Sequence, residues 1–512
     1  MRRPYGFTAM THVTAHDYHE RTKHFRAATT TQRRVEAALV PKQYKRYVDL
    51  PSLALPAPAP SASSFFDSLT PIGGPAGRLT MASLAAVLHY SAGIVRRSSA
   101  GGRELAFRAA SCTGAAYHLE LYVVCGAIDH LPAGVYHYDV LTEALRPLRT
   151  GDFRDALAQA CCDETIVSAD ASVVITSTFW RNAWRYEERA YRHVFWDAGT
   201  VLANLLALAE NEDLAPALRT AFVDHEVNAL RGLDARREAA VAVVSLSDAL
   251  AGAGVNVGSL HAGTLQRPET AKIAGVSPLA LRTEPLSRAE IEYPLIWQTH
   301  ESTSLRDCPA VQDWRSMSTP APPPAWTRHS SPPRASRSLQ EAIERRGSSR
   351  RFTTTPMSRE AFTDTLVSAR GSLCSDQTLA GVLIRPFVIV NRIEGVEPGA
   401  YALDPAGNFS LVRAGDLSKE AARLALDQPA AGRAAANLYF VASHSEVAAM
   451  MGERGYRAVQ LEAGMRVGQV YLAAASLGLR VTGLTFYDDE VARFFGLDPV
   501  DTLVLMLVAF GP

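Results

Sequence analysis

In this chain of 512 residues, the residues most able to do chemistry lie in Arg345-Arg346-Gly347-Ser348-Ser349-Arg350-Arg351. Four guanidiniums and two hydroxyls around a glycine turn form a cup suited to phosphate, because arginine offers fork-shaped donors to phosphate oxygens. The same residues read equally as a helix end finished with cations that complement its dipole. R-x-S-x-R is short, so the spacing alone leaves both open. Asp197 and Glu462 fall inside helical patterns, where a buried hydrogen bond is the commoner fate of an acid. His19 and His24 flank a polar helix and are expected in solvent. The cysteines (Cys112, Cys125, Cys161, Cys162, Cys308, Cys374) are scattered, with no C-x-x-C and no histidine at zinc spacing, so no metal is expected. The Cys161-Cys162 pair is not expected in a structural disulfide, and thiols are expected reduced.

The elements that must position these residues come as a repeat. A helical pattern over 185–210 returns near the C-terminus, starting at Met451, with Val194, Ala198, Val201 and Leu205 answered by Val459, Ala463, Val467 and Val470. Glu188-Arg189-Ala190-Tyr191-Arg192 matches Glu453-Arg454-Gly455-Tyr456-Arg457, and Asp197-Ala198-Gly199 matches Glu462-Ala463-Gly464. Small residues at Gly199, Ala203, Gly464 and Gly468 would let another helix approach closely. The repeat extends outward: Gly134-Val135-Tyr136 matches Gly399-Ala400-Tyr401, Gly151-Asp152 matches Gly415-Asp416, and Phe222 to Val227 matches Phe486 to Val491. Strands are expected over 119–128, 135–140, 171–179 and 239–246, and again over 386–390 and 438–441. Helices are expected over 79–88 and 338–346. A near-constant displacement across so many elements is a tandem duplication, and two like units on one chain are a fused homodimer.

The expected fold is therefore α+β: two units, each a mostly antiparallel sheet packed on helices, joined as an intramolecular pseudo-dimer. The boundaries expected are an N-terminal segment with a Pro-rich linker over 1–64, a first unit over 65–250, a connection over 251–337 and a second unit over 338–512. Within the connection, 312–337 is rich in Pro, Ser and Arg and is expected to be extended or disordered. A hydrophobic content of 47%, a charged content of 20% and a formal net charge of +0 are ordinary for a soluble globular protein. They give no electrostatic case for nucleic acid or an anionic membrane. No window approaches the ~20 apolar residues of a membrane span, and the basic N-terminus lacks the apolar run of a signal peptide. A cytoplasmic location is the expectation.

The strand order, R-x-S-x-R and the long helix after Tyr-Arg together resemble the nitroreductase superfamily of flavoproteins, and more closely its SagB-type dehydrogenase branch. That branch carries a pattern like R-x-x-S-x-G-A-x-Y in its N-terminal half, where this chain has Arg108-Ala109-Ala110-Ser111-Cys112-Thr113-Gly114-Ala115-Ala116-Tyr117. It also carries a Lys-Tyr pair shortly before E-R-x-Y-R, where this chain has Arg185-Tyr186. The resemblance implies FMN bound between the units. Arg346, Ser348 and Arg350 would take its phosphate end; Ser111, Thr113 and Gly114 would approach its ring from the other unit, with Arg185 and Tyr186 over the flavin face. Cys112 would sit in the same loop, either as a redox-active thiol or as a small buried one. Trp180 and Trp184 would line a substrate channel or pack in the core. The mirrored site lacks these parts: Thr22-Lys23-His24 stands near the expected place of R-x-S-x-R, and Met450-Met451 replaces the Arg-Tyr pair. One FMN per chain is expected.

The activity implied is oxidation of thiazoline or oxazoline rings in a modified peptide, with hydride passing to FMN, electrons onward to O2, and a base removing the neighbouring proton. Tyr186 could be that base only if a cation lowers its pKa from about 10. Arg185 can stabilise a phenolate but, unlike the branch's lysine, cannot exchange a proton itself. Two other functions share the sequence features: an NAD(P)H-dependent nitro- or quinone reductase, and a flavin-binding scaffold subunit of a peptide-modifying complex. Partners implied are a peptide or small-molecule substrate and a cyclodehydratase.

Overall fold

The computed structural model describes residues 13–26, 37–59, 63–69, 78–100, 103–247, 276–318, 336–369, 375–404 and 407–512. Fifteen strands are present among them, which we number in chain order. In the first half these are β1 (Leu53–Ala54), β2 (Ile94–Ala100), β3 (Arg103–Arg108), β4 (Leu119–Cys125), β5 (Gly134–Asp139), β6 (Ala144–Thr150), β7 (Ala171–Thr178), β8 (Ala217–Arg219) and β9 (Glu238–Leu246). The second half has β10 (Arg385–Val390), β11 (Gly399–Leu403), β12 (Phe409–Ala414), β13 (Ala436–Ser443), β14 (Arg480–Leu484) and β15 (Thr502–Gly511). They form a seven-stranded sheet, β1-β6-β5-β4-β7-β9-β8, a six-stranded sheet, β12-β11-β10-β13-β15-β14, and the β2–β3 hairpin. Every pairing within the two large sheets is antiparallel. Apart from β1, the two orders correspond strand for strand. The fold is α+β, two like units in tandem on one chain.

The units meet through two long helices, Ala190–Asn211 and Gly455–Ser476. These cross at glycine: a Cβ built on Gly464 would lie 2.6 Å from the carbonyl oxygen of Trp196, and one on Gly468 2.5 Å from the Cβ of Ala203. Backbone therefore touches backbone, and both helices are buried almost along their whole length. The crossing is bracketed by two matching ion cages. Arg189 and Arg192 donate to Asp488 at 3.0 and 2.7 Å, while Arg454 and Arg457 donate to Asp224 at 2.6 and 2.7 Å. Burial acts to raise both carboxyls, but the paired guanidiniums outweigh it, holding Asp224 down to about 2 and Asp488 also well below the usual carboxylate range. Each cage joins arginines of one unit to a carboxylate of the other. Such buried charge is costly unless fully paired, so it fixes one docking geometry.

Several expectations change. The first helical stretch is not continuous: a helix over Phe179–Tyr186 ends at Glu187, whose φ is 50°, before the long helix begins. Arg185 and Tyr186 thus sit at the end of the preceding helix rather than at the start of the long one. The connection contains a helix, Cys308–Ser318, that includes 312–318, while 319–335 lies outside the described residues, as do Cys374 and the first twelve positions. Cys162 is bridged to Cys308, contrary to the expectation of reduced, unpaired thiols. His19 is buried rather than solvated, its Nδ1 3.3 Å from the Tyr456 hydroxyl. Its counterpart His300 stands 3.2 Å from Tyr191, so the helix Ala15–Arg21 is the mate of Pro294–Ser302. Thr22-Lys23-His24 is accordingly not the counterpart of R-x-S-x-R. Ser64 and Ser338 pair across the pseudo-symmetry and mark the true mates, the helices Phe65–Ser68 and Leu339–Arg345. No helix among the described residues is long and apolar enough to cross a membrane.

Candidate active site between the units

A crevice of about 450 Å³ opens between the units, within the range of small-molecule sites. The helix Leu339–Arg345, started by its Ser338 cap, delivers Arg346 and the turn after it to one end. Arg346 is buried and reaches across the interface, donating to the carbonyls of Ala109 and Arg108 at 2.8 Å each. Ser348 shares a hydrogen bond with the Tyr471 hydroxyl at 2.9 Å, and Arg350 donates to Gln428 at 2.8 Å. Arg96 of β2 enters from the first unit, its guanidinium over Phe107 at 4.7 Å. Burial, with Arg96 contributing, lowers the pKa of Arg346. Three guanidiniums thus converge on one end of the crevice, where Arg346 and Arg350 donate to carbonyl and amide oxygens. A phosphate would supply the missing negative charge.

At the other end, Asp197 on the first long helix shapes the loop Ser111 to Gly114. Its carboxylate accepts from the Thr113 amide at 2.9 Å, the Thr113 hydroxyl at 2.9 Å and the Cys112 thiol at 3.2 Å, and pairs with His118 at 2.8 Å. The Thr200 hydroxyl donates to the Ser111 carbonyl at 2.7 Å. Asp197 therefore acts through buried hydrogen bonds, as its sequence position suggested. Although Cys112, His118 and Asp197 are near enough to hold a metal ion, both oxygens of Asp197 are already engaged by donors. Burial and then Asp197 push the Cys112 thiol well up, so it stands as a neutral donor and not a reactive thiolate.

Tyr186 lies on this loop. Gly114 has φ 61°, and the Tyr186 hydroxyl and Arg185 Nη1 crowd the place of its missing Cβ, so only glycine lets the phenol settle there. Arg185 is exposed and donates to the Gly114 carbonyl at 3.3 Å. Burial raises the Tyr186 pKa; Arg185 works against the shift without cancelling it. His193 supports the ring edge-on at 4.7 Å. The eight residues expected around a flavin fall in or beside this crevice: Arg346, Ser348, Arg350, Ser111, Thr113, Gly114 and Tyr186 line it, and Arg185 stands at its rim. Trp180 does not; it is buried beside a separate cavity, its indole donating to Ser287 at 2.9 Å. Arg96, Tyr471, Gln428 and Thr485 were missed. Arg96 and Arg97 form a doublet in a hairpin with no motif around it, and Tyr471 reads only as one more core position of a long helix.

The corresponding crevice on the other side is filled by the chain itself. Trp314, on the connecting helix, is buried among Thr220, Val241, Ala458 and Leu461, leaving only about 10 Å³. Its indole donates to the carbonyl of Met451 at 2.9 Å, at the helix end that matches Tyr186. Asp376 accepts from the Thr220 amide and hydroxyl at 2.8 and 2.9 Å and from the Ala221 amide at 3.1 Å. A planar ring and an acceptor thus fill the closed crevice, and the same frame in the open one fits a planar aromatic ligand with a polar edge and an anionic tail.

These features define a class, and comparison with known proteins agrees. Residues 343–511 match the model of the Nitroreductase family. A crystal structure of a nitroreductase-like protein from Anabaena variabilis superposes with a TM-score of 0.74 at 25% identity, covering 96% of this chain and 98% of that one. A nitroreductase-like protein of Methanocaldococcus jannaschii is 28% identical over 33% of this chain and 88% of its own length. A similar structure from Ralstonia eutropha, at a TM-score of 0.32 and 19% identity, covers 41% of this chain and 95% of its own. The second unit thus carries the pattern of the Nitroreductase family, a family of oxidoreductases, and the whole chain shares the fold of the Anabaena variabilis protein.

Proposed function

We propose that the chain is an FMN-dependent oxidoreductase with a single flavin site, and that it dehydrogenates azoline rings, or a similar C–N bond, in a modified peptide. The observation that carries the reading is the convergence of Arg346 and Arg350 of one unit with Tyr186 and the Ser111-to-Gly114 loop of the other on one crevice. Arg346, Ser348 and Arg350, joined by Arg96, would hold the phosphate; the loop would lie along the ring. Bound FMN would supply the hydride acceptor, with O2 as the final one. Tyr186 would take the neighbouring proton, with Arg185 favouring its phenolate. A cyclodehydratase that makes the azoline is the partner this chemistry asks for.

One observation favours a second reading. Burial raises the Tyr186 pKa, so the phenol keeps its proton at neutral pH, which suits a donor in an NAD(P)H-dependent nitro- or quinone reductase. The two separate on mixing. Purified protein should carry one FMN per chain and lose its yellow colour with an azoline peptide but not with NADPH. Bleaching by NADPH alone selects the reductase, and absence of flavin from the wild type rejects both. Arg350→Ala should weaken FMN binding by about tenfold, the scale of one charge-assisted contact.

A further inference from the structure

The two halves keep the same residues where they dock and different ones where the crevices lie. Arg189, Tyr191 and Arg192 recur as Arg454, Tyr456 and Arg457, but the next position changes from His193 to Ala458, and Trp196 changes to Leu461. One helix earlier, Asn182 on Phe179–Tyr186 answers to Val447 on His444–Met451, as Tyr186 answers to Met451. Asn182 and His193 therefore occur together on the open side alone. Both are buried, and they bond across the break at Glu187: His193 Nδ1 lies 2.7 Å from Asn182 Oδ1. The Asn182 amide nitrogen donates to the Thr113 carbonyl at 3.5 Å, so its oxygen faces the imidazole and Nδ1 must carry the proton. Nε2 is then a buried lone pair with no hydrogen-bond partner among the described residues. Such a group costs stability, and the second half makes the same break, at Gly452 with φ 59°, without it. The bond is not needed to form the turn.

We propose that Asn182 and His193 are a positioning pair for Tyr186 and the Thr113 loop. The proposal rests on the reading of the crevice in which Tyr186 is the group that handles the proton. Asn182 stands one helical turn before Tyr186, and the bond to His193 fixes that turn against the long helix. The imidazole then meets the phenol ring edge-on at 4.7 Å and the Trp196 ring at 5.0 Å, and both of those residues line the crevice. Through Thr113 the same amide reaches the loop on which the Tyr186 hydroxyl rests. The pair thus ties together the short helix, the long helix and the loop, whose mutual placement sets where the phenol stands. On the closed side Trp314 takes the space beside Ala458 and Leu461, and Met451 has no proton to deliver.

The test uses the full chain with FMN bound and a synthetic thiazoline peptide. Asn182→Val installs the second half's residue, His193→Phe keeps the ring and removes the donor, and His193→Asn keeps a donor near the place of Nδ1. Asn182→Val and His193→Phe should lower kcat by about 10–100-fold, the effect of misplacing a reacting group by about 1 Å. KM and flavin content should stay unchanged, and His193→Asn should lie closer to wild type. Added to Tyr186→Phe, neither change should lower kcat further, since the pair acts through the phenol. A second measurement needs no turnover: in NMR with isotope-labelled tyrosine, the line lost in Tyr186→Phe should shift in Asn182→Val and His193→Phe. A further loss of kcat in the Tyr186→Phe background, or an unmoved Tyr186 line, overturns the proposal. Turnover absent from the wild type, or unchanged in Tyr186→Phe, rejects the reading of the crevice instead, and the tyrosine line then decides whether the pair holds the phenol.

Discussion

Gly464→Ala tests the helix crossing on which the crevice depends. The new methyl carbon would meet the Trp196 carbonyl oxygen at 2.6 Å and the Phe195 carbonyl oxygen at 2.9 Å. Ordinary contact begins at 3.4 Å, so the helices must part by about 0.8 Å. The obstacle is backbone, which cannot swing aside as a side chain can. Overpacking of this kind costs about 1–3 kcal/mol, and alanine returns about 1 kcal/mol through helix propensity; with backbone against backbone the upper part of the range applies, leaving a net loss of about 2 kcal/mol. Trp196, Asp197 and Thr200 line the crevice from one helix, Val467 and Tyr471 from the other, so separation also spoils the ligand geometry. The measurements are the thermal midpoint and the FMN dissociation constant, with Gly381→Ala as comparison. There the nearest atoms are Arg466 Nη2 at 3.1 Å and Glu462 Oε1 at 3.3 Å, side-chain ends that can yield. Gly464→Ala should lower the midpoint and weaken FMN, and Gly381→Ala should do neither. Equal behaviour of the two would refute the packing argument.

Three further outcomes are expected. If Tyr186 is the base, turnover of an azoline peptide should rise with pH towards a phenol pKa above about 10, because burial raises it; Tyr186→Phe should flatten that limb with flavin still bound, and a falling alkaline limb would mark the phenol as a donor. Trp314→Ala should cost about 3–5 kcal/mol as a large-to-small change at a buried site and leave one FMN per chain, read from denaturation and from flavin absorbance. The protein should lose stability as pH falls below about 6.5: burial lowers the pKa values of His19, His193 and His300 well below 6.5, so the unfolded chain binds protons that the folded one refuses. The slope reaches at most about 1.4 kcal/mol per pH unit for each, and a stability flat from pH 7 to 5 would contradict it.

The two-unit repeat was legible because it is written in side chains of the core, where both long helices need the same small and apolar residues at the same helical positions. R-x-S-x-R and the Ser111-to-Gly114 loop were legible only through the family resemblance, because a glycine turn among cations serves equally well as a helix end. What sequence did not reveal depends on partners distant in the chain. Nothing in Arg96 tells that a hairpin carries it to Arg346, and nothing in Cys308 tells that it meets Cys162. The helix over Cys308–Ser318 was hidden for a different reason. It runs into a proline-rich stretch, and its apolar residues Val311 and Trp314 look sparse until the crevice they enter is seen.

That helix explains why one frame with twofold character keeps one crevice open and the other closed. Two identical crevices would place identical demands on both halves, and here those demands have separated. On the closed side Trp314 takes the space beside Ala458 and Leu461, and Asp376 satisfies the amides that follow β8, so no cationic turn or phenol is needed there and Met450 and Met451 are tolerated. The filler also joins the units: Arg315 donates to the Ala221 and Cys162 carbonyls at 2.9 and 3.1 Å while paired with Asp376 at 3.3 Å. The closed face thus adds packing and ion-pair contacts between the units that the open face, with its unfilled crevice, does not have.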